Sequence, residues 1–300
     1  MKQTQQSKCA MITIAGRPNV GKSTLANTLV GEKISIVTSK PQTTRNRICA
    51  IVNRGDTQII LVDTPGFHKA RTRLGDYMVK TVRESIADVD AVVLMVEPIP
   101  QPGPQELELI EQIKQSKSPA VLVINKIDTV AKEELLAVIT AYTGLCDFEA
   151  VVPISAKRAE GTEDLMKELE KFAEPGPKLF PEDINTDQPE RQICAEIVRE
   201  KLLLCLDKEI PHGTAVVVTR FTEREDTEII DLDVTIYCEK DSHKGIIIGK
   251  NGSMLKKVGE LSRRDIERFM GTKVYLQTWV KVKNNWRDSE VQLRNFGYSE

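Results

Sequence analysis

The 300 residues carry 42 basic and 44 acidic side chains, a formal charge of −2, with 40% apolar and 5% aromatic residues. That length leaves room for two domains with cores of their own, and near-neutrality argues against a chain that attracts polyanions over its whole surface. No apolar run approaches the roughly 18 residues of a membrane-spanning helix. The six cysteines, at 9, 49, 146, 194, 205 and 238, are neither closely paired nor placed beside histidine at metal-ligand spacing. They read as small apolar fillers of a reduced, cytoplasmic protein. An apolar run begins within about ten residues of Met1, which leaves no space for a signal peptide.

That first run, Cys9 to Ala15, reads as a buried strand. It leads into Gly16-Arg17-Pro18-Asn19-Val20-Gly21-Lys22-Ser23, with Thr24 next and a predicted helix over 23–30. Two glycines four residues apart ahead of Lys and Ser let backbone N–H groups turn inward around a phosphate at a helix N-terminus. Lys22 is then placed to reach the outer phosphates, and the Ser23 hydroxyl to ligate Mg²⁺. Residues 35–47 form a candidate first switch, in which Thr44 or Thr43 completes the metal shell.

A second run, Gln58 to Val62, ends in Asp63-Thr64-Pro65-Gly66, followed by Phe67. Asp63 is expected to act through a metal-bound water, and the Gly66 N–H to meet the γ-phosphate. Residues 66–75, with His68, Lys69, Arg71 and Arg73, form the candidate second switch. Many GTPases carry a glutamine after this motif to orient water, a task an apolar ring cannot perform. Phe67 equally suits an apolar plug at the strand-to-loop corner.

The run Ala91 to Val96 leads to no evident motif, Ala120 to Ile124 leads into Asn125-Lys126-Ile127-Asp128, and Val151 to Ile154 leads into Ser155-Ala156-Lys157. Such runs, separated by helix-length stretches, describe a mostly parallel sheet covered on both faces, whose ligands bind at the strands' carboxyl ends. Base identity follows from hydrogen-bond chemistry. An ionised Asp128 only accepts, so it suits guanine's N1–H and exocyclic amine and repels adenine. Asn125 braces the loop or meets the ring, the Lys126 stem covers a ring face, and the Ala156 N–H points at guanine O6.

Residues 173–190 hold one base and five acids, with prolines that describe an extended linker between a domain over 1–172 and another over 191–300. The second domain begins with a helical pattern over 192–206, then strands over 214–221 and 229–238. Lys244-Gly245-Ile246-Ile247-Ile248-Gly249-Lys250-Asn251-Gly252 reads as a helical turn ending in a Gly-x-x-Gly loop. Ser253 is placed to cap a helix reaching Met270, and a strand over 273–282 closes the unit. Between 240 and 287 there are twelve basic and four acidic side chains, so a polyanion should dock there. Trp279 and Trp286 read as core or interface packing residues rather than base-stacking ones.

With GRPNVGKST in the phosphate loop, Lys40-Pro41-Gln42-Thr43-Thr44-Arg45 after it, Phe67 after the Asp63 motif and the second half as described, the chain resembles the translation-factor-related GTPases. More narrowly it resembles the Era family, GTPases with a C-terminal KH domain, over nearly its entire length. The resemblance implies an α/β fold: a P-loop GTPase domain with a mostly parallel six-stranded sheet, then a smaller α+β KH domain of type II. It implies slow hydrolysis of GTP to GDP with Mg²⁺, using Lys22, Thr44, Asp63 and Gly66, with potassium held near the phosphates by Asn19.

The resemblance further implies that Gly249 to Gly252 clamps about four nucleotides of single-stranded RNA, with Gly245, Ile248, Lys256, Lys257, Arg263 and Arg264 contributing. The expected partner is small-subunit (16S) ribosomal RNA near its 3′ end, in 30S subunit maturation. A monomer is expected, with peripheral association at the inner membrane as a secondary reading. Two alternatives stay open. One is a potassium-dependent tRNA-modification GTPase, whose added N-terminal and helical regions this sequence does not show. The other is a GTPase whose KH-like unit docks protein.

Overall fold

A computed structural model of the chain describes residues 7–67, 70, 72–87 and 89–298. His68, Lys69 and Arg71, named for the second switch, lie outside the described residues. The chain divides into two compact units, the first Met1–Ser35, Thr44–Lys69 and Met78–Asp187, the second Ile36–Thr43, Ala70–Tyr77 and Gln188–Glu300.

In the first unit, β1 (Lys8–Ala15), α1 (Lys22–Val30), β2 (Ile48–Arg54), β3 (Thr57–Asp63), α2 (Arg73–Ala87) and β4 (Ala91–Val96) are followed by α3 (Pro104–Ser116), β5 (Ala120–Ile124), α4 (Lys132–Thr143), β6 (Ala150–Pro153), α5 (Thr162–Glu170) and the two-residue β7 (Glu174–Pro175). The sheet order is β2-β3-β1-β4-β5-β6, with β2 antiparallel to β3 and the rest of that path parallel. All six residues of β4 are buried, as a parallel strand covered on both faces requires. Alternation sends Ala91, Val93 and Met95 toward α1 and α5, and Val92, Leu94 and Val96 toward α2, α3 and α4.

The expected six strands gain a seventh piece, because β7 pairs antiparallel with Lys8 and Cys9, where β1 is not yet paired to β4. The segment after it does not leave the unit at once. Gln58 donates to the Phe180 carbonyl at 2.9 Å and accepts from the Leu179 and Phe180 N–H groups at 2.9 and 3.0 Å. Phe180 packs on Cys49, Ile51, Ile60 and Val62, and Ile51 N–H donates to Asn185 O at 2.9 Å. These contacts cover the exposed edge of β2, which an open sheet must protect.

The second unit contains α6 (Glu190–Cys205), β8 (Ala215–Glu223), β9 (Ile229–Cys238), α7 (Asp241–Ile248), α8 (Ser253–Met270), β10 (Lys273–Val282) and a short α9 (Glu290–Asn295) that no sequence signal announced. The sheet order is β10-β9-β8, with β9 and β10 parallel and β8 antiparallel to β9. Ile197, Val198 and Leu202 of α6 and Val258 and Ile266 of α8 pack with Val216, Leu232, Val234, Ile236 and Val274 of the sheet. Within this unit the Val37 N–H donates to Glu200 Oε1 at 3.1 Å, and the buried Arg199 guanidinium donates to the Thr43 carbonyl and to Glu196.

One expectation is corrected by the second unit. Ser253 already has helical dihedrals, so the residue that caps α8 is Gly252, in the left-handed conformation. Of the two tryptophans, Trp286 is buried, donates to Gly213 O at 2.9 Å and stacks with Tyr298, whereas Trp279 is 57% exposed. Among the described residues no helix is long and apolar enough to cross a membrane. All six cysteines are free thiols.

Candidate functional site

The four motif blocks emerge at the carboxyl ends of β1, β3, β5 and β6, which parallel pairing aligns. After β1, the chain turns through Gly16 to Gly21 into α1, and the buried Lys22 ammonium donates to the carbonyls of Gly16 and Arg17 at 3.0 and 3.2 Å. Burial pushes Lys22 down to about 8, with Asp63 opposing the shift. Phe67 N–H donates to Gly16 O at 3.2 Å, and Thr64 Oγ1 donates to Ile14 O at 2.8 Å, so the Asp63 block is pinned to β1 and to the loop. The Phe67 ring is 3% exposed, within the apolar cluster under α2, α3 and α4. It is a plug.

Ser23 Oγ and Thr44 Oγ1 lie 2.9 Å apart, and Asp63 is fully buried beside them. Ser35 Oγ donates to Asp63 Oδ2 at 3.2 Å, while Asp63 Oδ1 has no partner among protein atoms. Burial raises the Asp63 carboxyl above its ordinary range, and Lys22, Ser23 and Ser35 pull against that. Two hydroxyls and a carboxylate with an unused oxygen form an all-oxygen donor set, which fits Mg²⁺. Of the two threonines, Thr43 is engaged elsewhere, with Thr38 Oγ1 and Lys40 O each at 2.7 Å. Sequence reasoning missed Ser35. Its N–H and carbonyl are both held by the Asn27 carboxamide, at 2.9 and 2.8 Å, and nothing in local spacing marks that pair.

On the base side, Asn125 Nδ2 donates to Val20 O at 2.8 Å, so Asn125 braces the phosphate loop. Its Oδ1 accepts the Ala156 N–H, the group expected to face guanine O6, at 2.9 Å. Ser155 Oγ donates to Asp128 Oδ1 at 2.7 Å, and this bond is the leading cause that lowers the Asp128 carboxyl, so its acceptor character is fixed at neutral pH. Lys126 Nζ donates to Asn19 O at 2.8 Å and pairs with Glu97. Arg17 also pairs with Glu97, and with Glu106 at 3.1 Å, which turns its guanidinium to carboxylates. Lys157 is exposed.

Glu97 was also missed, although it follows Ala91–Val96, the run without an evident motif. The rule that placed ligands at carboxyl strand ends would have found it. Burial opposes its charge, but the hydrogen bonds and charges of Lys126 and Arg17 prevail and hold its carboxyl below the ordinary value.

In the second unit, α7 ends at Ile248 and Gly249 adopts φ 73° and ψ 174°, a conformation open to glycine alone. A β-carbon at Gly249 would lie 2.7 Å from Met254 Cβ, whereas at Gly252 nothing stands within 4 Å. Beside this loop a cleft of about 390 Å³ is lined by Gly252, Leu255, Lys256, Gly259, Glu260, Arg263, Leu276 and Thr278. Lys250 and Asn251 are exposed on the loop, as is Gly245 before it, and Ile248 is half-buried. Lys257 and Arg264 are exposed but are not among the lining residues, since each sits one position beyond a residue that faces the cleft.

A phosphate-type loop ahead of α1, a buried Asp63 beside it and an ionised Asp128 at the end of β5, on a parallel sheet covered by helices, define a P-loop GTPase, here joined to a KH unit. Residues 11–126 match the family described as 50S ribosome-binding GTPase, and residues 209–287 match the KH domain. The chain is 51% identical to GTPase Era of Ruminiclostridium cellulolyticum, over 97% of both chains. It is 48% identical to GTPase Era of Clostridioides difficile, over 98% of this chain and 99% of that one. A structure of an Aquifex aeolicus Era variant bound to GDP and aluminium fluoride aligns with TM-score 0.93 at 35% identity, covering 98% of this chain and 100% of that one. A structure of Era in complex with MgGDPNP and nucleotides 1506–1542 of 16S ribosomal RNA aligns with TM-score 0.94, again at 35% identity over 98% and 100%. This chain belongs to the Era family of GTPases, and its reaction is the hydrolysis of GTP.

Proposed function

We propose that this chain binds the 3′ segment of 16S ribosomal RNA in the cleft beside Gly249–Gly252 and acts in 30S subunit assembly as a GTP-dependent switch. The observation that carries the reading is the pairing, in one chain, of a guanine-type crevice with a glycine-edged cleft on the KH unit, and the similar Era structure is a complex with both MgGDPNP and nucleotides 1506–1542 of 16S ribosomal RNA. In this reading the GTPase domain spans 1–172, the linker 173–190 and the RNA domain 191–300. Ser23, Thr44 and Asp63 hold Mg²⁺, which neutralises charge on the β- and γ-phosphates. Lys22 binds the outer phosphates, Gly66 and Thr44 sense the γ-phosphate, and loss of that phosphate releases both switch segments.

With Phe67 buried, backbone groups would orient the water, and Asn19 would be the residue to hold a potassium ion, which would add positive charge near the phosphates. Exchange of potassium for sodium at matched ionic strength slows turnover in this reading, and equal rates remove Asn19 from that role. The RNA reading is tested with a labelled 1506–1542 fragment titrated across salt. Three to five phosphate contacts to a single strand predict a log-log slope of about −2 to −3.5. A flat response, or no binding, favours a protein partner for the KH unit.

A further inference from the structure

The three-stranded sheet of the second unit has one face in the core and one turned away from it. Along β10, Val274, Leu276, Val280 and Val282 pack with α6 and α8. Period-two alternation therefore turns Lys273, Tyr275, Gln277, Trp279 and Lys281 to the opposite face. Tyr275 and Trp279 are 52% and 57% exposed, and β10 is an edge strand. The C-terminal segment covers this outer face at Tyr237, whose ring centroid lies 4.7 Å from that of Phe296, and leaves the two β10 aromatics in solvent.

The charge around these rings is cationic. Lys281 and Lys283 follow Trp279 on the same side of the strand and both are exposed. The Arg224 guanidinium sits 5.6 Å from the Tyr275 ring centroid. Asp231, opposite Tyr275 in the parallel register, is matched by Arg224 at 2.6 Å and Arg220 at 3.3 Å, and Asp233 stands opposite Gln277. This face is also continuous with the cleft beside the Gly-x-x-Gly loop. Leu276 and Thr278 line that cleft, and Trp279 is the next residue on the other side of the same free edge.

We propose that the outer face of β10 is a second RNA subsite: a single-stranded segment leaving the cleft crosses the sheet edge and stacks bases on Trp279 and Tyr275, with Lys281 and Lys283 against its phosphates. The proposal rests on the RNA reading of the cleft. The two rings stand four residues, about 13 Å, apart along the strand, so they serve separate bases. Aromatic stacking tolerates any base, so this face adds affinity that depends on RNA length rather than on sequence.

The test uses the full-length protein with two probes, the labelled 1506–1542 fragment and the tightest-binding hexanucleotide tiled from it. Trp279→Ala should weaken the long fragment about tenfold or more while leaving the hexanucleotide unchanged, and Trp279→Phe should retain most of the long-fragment affinity. Circular dichroism checks that the exposed substitution leaves the fold intact. Unchanged affinity of Trp279→Ala for the long fragment overturns the proposal. So does unchanged RNA affinity combined with lost co-sedimentation on 30S subunits, which assigns the face to protein. If wild-type protein binds neither probe, it is the RNA reading of the cleft that fails.

Discussion

The hydroxyl oxygens of Ser23 and Thr44 lie 2.9 Å apart although 21 residues separate them in the chain. One hydroxyl belongs to the first turn of α1 and the other to the loop before β2, so the donor pair exists only when that loop is closed over the helix. Thr44→Ala should lower single-turnover GTP hydrolysis at least about tenfold and leave GDP affinity within about twofold, because Ser23 and Asp63 stay in place. Fluorescent-GDP titration beside quenched-flow hydrolysis measures both. Equal loss in the two assays would show that Thr44 supports the fold of the site.

Burial holds Lys22 near 8, against an ordinary 10.5. Between those values the unfolded chain binds more protons than the folded one, so the stability of nucleotide-free protein rises with pH across that window, and below it the penalty for the buried ammonium is felt in full. Lys22→Met should therefore raise Tm at pH 7, with the gain shrinking as pH approaches 10. Phosphates restore the charge of Lys22, so GDP affinity of the wild type should fall above pH 8 with net proton uptake. Calorimetry in two buffers of different ionisation enthalpy reads that proton directly.

Asp128 accepts a hydrogen bond from Ser155 at Oδ1 and faces Arg158 Nε at 3.6 Å from Oδ2; as an ionised carboxylate it can only accept. Asp128→Asn should weaken GTP and favour xanthosine triphosphate, whose C2 oxygen accepts from the new amide. Competition binding with the two triphosphates decides it, and an unchanged preference for GTP contradicts the base-reading role.

Glu97 ties Arg17 and Lys126 together at the end of β4. Removing it leaves two cations facing each other, so Glu97→Ala should weaken guanine nucleotide about five- to twentyfold, with Glu97→Gln recovering part of the loss through hydrogen bonding. Because its carboxyl sits below the ordinary 4.5, its stabilisation is present at neutral pH and is lost as pH falls through that lowered value. Acid unfolding of Glu97→Gln should accordingly begin from a lower plateau and show a shallower slope.

The two loop glycines of the KH unit should separate stability from binding. Gly249→Ala meets Met254 and an excluded backbone region, so its Tm should drop by several degrees. Gly252→Asp has open space and only the left-handed strain of about 1–2 kcal/mol. Its Tm should fall by less than that of Gly249→Ala, while RNA affinity falls at least about tenfold and GTP hydrolysis is kept. Filter binding and a phosphate-release assay test this pair.

The motif residues were legible because each depends on a short chemical signature next to a strand. A glycine pair ahead of Lys22 and Ser23, or Asn125 three residues before Asp128, carries its reason locally. The strands of the second unit over 229–238 and 273–282 were equally legible, since β-branched alternation has a period no helix shares. Ser35 and Asn27 left no such trace, and Glu97 left only its place at the end of a strand. Each acts on a residue distant in the chain, Arg17 and Lys126 for Glu97, Asp63 for Ser35, and their types are common in any loop. Trp279 shows a related limit: alternation says which residues share a face, but not which face is covered.

From the sequence alone came the chemistry: guanine over adenine from a carboxylate, phosphate from glycines and lysine, RNA from a basic Gly-x-x-Gly unit. The tertiary structure decided the partnerships. It sent the Ala156 N–H to Asn125, set the Thr44 hydroxyl beside that of Ser23, grouped 36–43 with the second unit and left Tyr275 and Trp279 on the outer face of β10 to solvent. Local signatures encode what a side chain can do, whereas its actual partner depends on packing between segments far apart in the chain, where many hydrogen-bond donors and acceptors compete and burial selects among them.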